Sequence, residues 1–193
     1  MMSLRIPFAF AAALLLVPAA LAQDAAQQQH APQANKPVQP DVTKEFGDWT
    51  VRCYPVSSPS PCEMLELRVA KKDGQKILGV LLAYIPSRDA DVLQISVPLG
   101  VALQNGLVIN SDTFKSGVLK YRRCDMQGCY VETAIDSKTV GDIGRATKAE
   151  AQIIAMDGKR YNLVFSLKGF TDAHRSLVDL AKQKAGGGTA AKP

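Results

Sequence analysis

The run LELRVAKKDGQKILGVLLAY, residues 65–84, decides the fold. Leu65, Leu67 and Val69 alternate with Glu66, Arg68 and Ala70, the period of a strand with one apolar and one mostly polar face. Ile77 to Ile85 is more continuously apolar, as expected of a strand covered on both sides. Between them Asp73-Gly74 accepts the positive φ angles of a tight turn, so the stretch reads as a β-hairpin. The same signal recurs outward. Asn105-Gly106 separates Gly100–Leu103 from Leu107–Asn110, and Asp157-Gly158 separates Ala151–Ala155 from Tyr161–Leu167, which predicts two more hairpins. Further strands are expected over Trp49–Cys53, Val92–Val97, Val118–Arg123 and Tyr130–Ala134. Roughly nine or ten short strands with tight turns predict an all-β fold, mainly an antiparallel β-sandwich or open barrel. The C-terminus alone clearly changes period: Thr171 suits an N-cap, Asp172 suits the positive helix end, and Leu177, Val178 and Leu180 share a stripe. One C-terminal α-helix follows, and a weaker helical signal lies in Ser137–Thr147.

Four cysteines set the compartment. Cys53 and Cys62 flank the loop YPVSSPSP, and Cys124 and Cys129 bracket DMQG. They stand behind an N-terminal export signal over 1–22: Arg5 in the n-region, Phe8–Val17 as the apolar run, and Ala20-Leu21-Ala22 before Gln23 as the cleavage site. An even cysteine count in an exported chain predicts two disulfides formed in an oxidising space. Local pairing, Cys53 with Cys62 and Cys124 with Cys129, is preferred because neighbours in sequence meet most easily; all three connectivities stay open. The apolar run is too short for a retained span, so no transmembrane segment is expected after cleavage. Residues 23–44 are rich in Gln, Ala and Pro and read as a flexible leader, and 185–193 as a disordered tail. Residues 45–184 are the β domain.

A chemistry is harder to find. The 23 basic and 18 acidic side chains leave a mild positive balance, suited to peripheral contact with anionic surfaces such as lipid head groups or polysaccharide. Without an aromatic-interleaved basic patch, nucleic acid is not an expected partner. The C-x₈-C spacing does not suit zinc, and C-x₄-C between strands lacks the helix start of a redox motif. His30 falls in the leader, which leaves His174 as the one candidate histidine base, with no nucleophile elbow before a helix. Asp48, Glu63, Glu66, Asp89, Asp91 and Asp136 could converge as acid–base pairs. Trp49, Tyr54, Tyr84, Tyr121 and Tyr130 could line a binding surface, although Trp49 beside Cys53 suits a core anchor. No catalytic residue, metal site or cofactor is therefore expected.

Several motifs occur together in one order: Phe46-Gly47-Asp48-Trp49-Thr50-Val51-Arg52-Cys53 with Cys62, Val97-Pro98-Leu99-Gly100-Val101 with Asn105-Gly106, Cys124-Asp125-Met126-Gln127-Gly128-Cys129, and Phe165-Ser166-Leu167-Lys168-Gly169-Phe170. In this set the chain resembles the invasion-associated locus B family from Glu45 to about Lys184. The resemblance implies an exported β-rich protein of the Gram-negative envelope, periplasmic or outer-membrane associated, and supplies no catalytic residues. The resulting expectation is a non-enzymatic, disulfide-stapled periplasmic protein that binds an envelope component or partner protein. Two alternatives stand beside it: a surface-acting virulence or host-invasion factor, and a small envelope hydrolase using carboxylates.

Overall fold

The structure is a computed structural model and describes residues 37–187. The stretch 65–84 becomes strands β3 (Cys62–Val69) and β4 (Lys76–Ile85), paired antiparallel with Leu65 opposite Leu81 and Leu67 opposite Gly79. Its turn closes with Ala70 N–H donating to the Gln75 carbonyl at 2.8 Å, and Gly74 takes the positive φ of +70° for which glycine is suited. Around this hairpin stand β1 (Val42–Phe46), β2 (Trp49–Cys53), β5 (Ala90–Val97), β7 (Tyr121–Asp125) and β8 (Gly128–Ile135). They form one antiparallel sheet of order β1-β2-β3-β4-β5-β8-β7. A second sheet joins β6 (Leu107–Ser111), β9 (Ala149–Ile154) and β10 (Arg160–Phe165) in the order β10-β9-β6. Both sheets are open, so the architecture is sandwich-like rather than a closed barrel.

The face expected of β3 is corrected: Met64 and Glu66 turn to the buried side, while Leu67 and Val69 are 52 and 56% exposed, because the pairing with β2 and β4 sets which side of the pleat meets the core. Val51, Met64, Val80, Leu82, Leu93, Ile95 and Val131 come from one face of the large sheet. They share a single buried cluster with Leu107, Ile109, Ala149, Ala151, Ile153 and Phe165 of the small one. Helix α2 (Phe170–Gly187) covers the rest of that face over β2, β3 and β4. Its buried stripe is Phe170, Ala173, Leu177 and Ala181, while Val178 and Leu180 are only half-buried. The expected stripe was thus rotated: alanines pack closest to the sheet because their small side chains let the helix approach. Phe170 meets Trp49 edge-on, ring centroids 5.1 Å apart, and the indole N–H donates to the Ser166 carbonyl at 2.9 Å. Such a pair contributes about 1 kcal/mol beyond its burial. Helix α1 (Ser137–Arg145) occupies the weaker helical signal, capped by Asp136, whose carboxylate accepts from Thr139 N–H at 2.7 Å.

Some expectations are corrected. Asn105-Gly106 does not join a hairpin: Leu103–Asn105 is a 3-10 turn, and Leu107 pairs with Ile153 of β9. The preceding segment is drawn to the other hairpin instead, with Val101 bridged to Ala155 and Ala102 N–H donating to Ile154 at 2.8 Å. Gly106 is still required as glycine, since its φ is +64° and a Cβ there would lie 2.6 Å from the Leu119 carbonyl. Strand β4 is fully buried on one face only; Leu81, Ala83 and Ile85 are half-buried, shielded by the flanking strands. Strand β1 takes in Val42–Lys44, assigned above to the leader, because β2 offers it backbone partners from Cys53 to Val51. Helix α2 likewise continues to Gly187, past Lys184. The export signal, the rest of the leader up to Lys36, with His30, and the tail from Gly188 lie outside the described residues. Among the described residues, no helix is long and apolar enough to cross a membrane.

Candidate functional site

A cleft of about 700 Å³ opens at the end of the sandwich where β5 begins and β8 ends. Leu93, Ile109, Phe114, Leu119 and Ile135 form its apolar floor. Asp89, Lys115, Ser116, Thr133, Asp136 and Thr139 stand among its rim residues. The wall between β6 and β7 is an irregular segment held at many points. Ser111 Oγ accepts from Phe114 N–H at 2.8 Å, and Ser116 Oγ accepts from Ile109 N–H at 2.8 Å. Thr113 Oγ1 donates to the Asp142 carbonyl at 2.6 Å, and Asp112 accepts from the Thr147 hydroxyl at 2.6 Å and its N–H at 3.0 Å. Those bonds, the Thr147 hydroxyl first, hold the Asp112 carboxyl below its ordinary pKa. The wall is therefore tied to β6 behind it, to the C-terminal half of α1 at Asp142 and to Thr147 just beyond it, and the cleft is largely preformed.

The rim carboxylates are already engaged. Asp89, in the left-handed region at φ +47°, accepts from the Tyr84 hydroxyl. Burial, followed by this bond, raises the Tyr84 pKa. Asp136 caps α1, and the hydrogen bonds from Thr139 lower its pKa. An acid–base pair needs one group free to take a proton and another free to give one; here both carboxylates already hold structural hydrogen bonds.

The other candidate carboxylates lie elsewhere. Glu63 accepts from Tyr54 at 2.8 Å. Asp91 faces His174 Nε2 at 3.0 Å, and the His174 ring stacks on Phe170, so the one credible base belongs to the joint between α2 and β5. Glu66 is 2 % exposed, with Arg68 Nε 2.6 Å from its Oε1 and no hydrogen-bond partner for Oε2 among the described residues. Burial raises its pKa, outweighing Arg68; nearby Asp48, in the turn between β1 and β2, adds to the rise. Among the described residues, no group of three or more His, Cys, Asp or Glu side chains is placed to hold a metal ion.

The cysteines sit directly opposite one another across neighbouring strands, Cys53 with Cys62 and Cys124 with Cys129, and both pairs are disulfides. The first is buried and closes the loop 54–61, which with Pro86, Ser87 and Lys184 borders a second cleft of about 680 Å³. The second ties the β7–β8 hairpin at the other end of the sheet. The aromatic residues do not form one surface. Trp49 is core, Tyr54 and Tyr84 serve their carboxylates, and the Tyr121 hydroxyl is buried, which pushes its pKa up to about 12. Tyr130 lies beneath Arg123 and Lys76, 3.7 and 5.7 Å from the ring centroid. Sequence reasoning missed the cleft because its floor comes from β5, β6, β8 and the wall segment, and no local spacing joins them.

The motifs quoted in the sequence mark joints rather than the cleft. Phe46–Cys53 and Phe165–Phe170 clasp each other: Asp48 N–H donates to Lys168 at 3.1 Å, and a Cβ on Gly169 would lie 2.0 Å from the Phe46 carbonyl. Val97 faces Cys129, and a Cβ on Gly128 would lie 2.3 Å from the Val97 carbonyl. Comparison with known proteins agrees with this framework. A solved structure, the crystal structure of invasion associated protein B from Bartonella henselae, superposes with a TM-score of 0.65 at 19% identity. It covers 73% of this chain and 99% of its own, a likeness of fold. Two proteins called Invasion protein B homolog, from Brucella abortus strains 2308 and 9-941, are each 25% identical over 142 residues, 73% of this chain and 82% of theirs. The family model for invasion associated locus B protein matches residues 49–178. With the clasped motifs, both disulfides and the ten-strand framework in place, the chain belongs to the invasion-associated locus B family.

Proposed function

We propose that this protein is exported to the periplasm and works there by binding, not catalysis, with the 700 Å³ cleft as its recognition site. One observation carries the reading. The cleft joins an apolar floor to hydroxyls and to two rim carboxylates that each hold a structural hydrogen bond, Asp89 from Tyr84 and Asp136 from Thr139. Such a site holds an apolar segment and orients it through its hydroxyls and Lys115. The favoured ligand is an apolar segment of an envelope component or partner protein. Two cross-strand disulfides suit the oxidising compartment.

The test is thermal stabilisation of the exported protein against panels of peptides, lipids and glycans, repeated in Lys115→Glu. A ligand that raises the melting temperature, less so in the variant, is expected. A flat response across all panels would sink the reading.

The names of the Brucella abortus and Bartonella henselae proteins favour a second reading, action at the cell surface on a host. Fractionation separates the two: surface exposure supports it, and strict retention in the periplasm removes it. Hydrolysis by carboxylates would fall to Asp89 and Asp136, the two of the six that share the cleft; it predicts an activity abolished in Asp136→Asn.

A further inference from the structure

The other end of the sandwich carries a different surface. There the β3–β4 turn, the segment after β5, the β7–β8 hairpin tip and the β9–β10 hairpin tip come together. The register places the first three side by side, since Gly79 pairs with Ser96 and Val97 with Cys129. Gln75, Lys76, Pro98, Leu99, Met126 and Gln127 line one shallow depression there. Met156 joins them, its N–H donating to the Gly100 carbonyl at 2.8 Å.

Three apolar side chains project from these tips: Leu99 is 57%, Met126 97% and Met156 80% exposed. Each stands at the apex of a turn, where it adds nothing to the core. The Cys124–Cys129 disulfide and the positive-φ Gly128 hold the Met126 tip against Val97 and Pro98, so little conformational freedom is lost when it docks.

Around the tips the charge is positive. Lys71, Lys72, Lys76, Arg123 and Lys159 face Asp73, Asp125 and Asp157, and 5 − 3 leaves an excess of +2. The carboxylates are exposed, but each already accepts a bond from a neighbour. Asp125 is bound to Arg123 and Gln127 N–H, Asp157 to Lys159, and Asp73 to Gln75 N–H. Among the described residues, Lys71 and Lys72 have no carboxylate partner and are exposed.

Apolar tips inside a ring of lysines are the pattern of a surface that dips into a lipid interface while its cations sit at the head groups. We propose that this end of the protein docks peripherally on an anionic phospholipid surface, Leu99, Met126 and Met156 entering the interface and Lys71, Lys72 and Lys76 meeting the phosphates. A polysaccharide would use the cations but has no place for three bare apolar tips. The inference does not depend on the cleft, which lies at the opposite end and stays open to solution while the protein is docked.

Vesicle sedimentation tests it, using the protein as exported, with vesicles of phosphatidylethanolamine plus phosphatidylglycerol compared with phosphatidylcholine alone. Binding is expected to the anionic vesicles, weakening as salt is raised. Leu99→Asp and Met126→Asp should each weaken it by roughly tenfold or more, the loss of one inserted side chain. Lys71→Gln with Lys72→Gln should weaken it about thirtyfold, at about fivefold per cation. Val56→Asp, on the stapled loop at the cleft end, should leave it unchanged. All five positions are exposed, so folding is preserved, which circular dichroism checks. Three outcomes would overturn the proposal: no preference for anionic vesicles, binding indifferent to Leu99 and Met126, or capture by lipid-free polysaccharide with the vesicles ignored.

Discussion

Removing the two disulfides one at a time should destabilise the domain unequally. In the chain-entropy account a crosslink stabilises by closing a loop in the unfolded chain, and the paired cysteines here are 9 and 5 positions apart in sequence. At 25 °C these lengths correspond to about 2.6 kcal/mol for Cys53–Cys62 and about 2.1 kcal/mol for Cys124–Cys129. Burial widens the gap. Cys53 and Cys62 are 0 and 1% exposed, whereas Cys124 is exposed and only Cys129 is buried. Each buried sulfur lost to alanine costs about 1 kcal/mol in packing. The expected totals are about 4.5 kcal/mol for C53A/C62A and about 3 kcal/mol for C124A/C129A. The pairs lie at opposite ends of the large sheet, so the losses should add, and the chain without both should be close to unfolded. The assay is urea unfolding followed by the fluorescence of Trp49, the sole tryptophan, which is buried against Phe170. Equal losses for the two pairs, or a smaller loss for the buried one, would refute the reasoning.

Two further perturbations probe the joints. Glu66 has its pKa raised by burial, so the folded state holds its proton more tightly than the unfolded one. The stability linked to this group is therefore full below the ordinary glutamate pKa of about 4.3 and is lost as pH rises through the raised value. Denaturant titrations of the parent and Glu66→Gln across that range should show this decline in the parent alone; parallel curves would contradict it. At lower pH the sign reverses: Asp112, Asp125, Asp136 and Asp157 have lowered pKa values, so the stability they contribute is present above the ordinary aspartate pKa and disappears as each protonates. Gly169→Ala should cost at least about 2 kcal/mol, because φ is +86° and the new Cβ would meet the Phe46 carbonyl at 2.0 Å. A melting temperature unchanged in that variant would show that the clasp between Phe46–Gly47 and Lys168–Gly169 yields easily.

Local chemistry made much of this protein legible before any coordinates. The strand over Leu65–Val69, the Asp73-Gly74 and Asp157-Gly158 turns and a helix beginning beside Thr171 all follow from interactions within a few residues. The buried face of β3 and the N-cap do not, since Glu66 is buried while Leu67 and Val69 are exposed, and the helix already begins at Phe170. The cysteine pairs were legible for the same reason, being close in sequence. What misled was local chemistry overruled at a distance. Asn105-Gly106 has the composition of a hairpin turn, yet Leu107 gains more by pairing with β9 than with the short segment before it. Val42–Lys44 look like leader and become strand because β2 leaves an edge to be filled. The candidate carboxylates show the limit most clearly. Sequence supplied six of them, and the fold sent Glu66 and Asp91 into buried pairs, Glu63 to a tyrosine and Asp136 to a helix cap. Burial and hydrogen-bond partners are long-range consequences of packing. The sequence alone therefore determined the class of fold, a preference for two local staples and the family resemblance, while the structure decided the pairing. The cleft and the apolar, basic end were decided by tertiary structure, because each is assembled from turns and strand ends that meet only when the sheets close on one core.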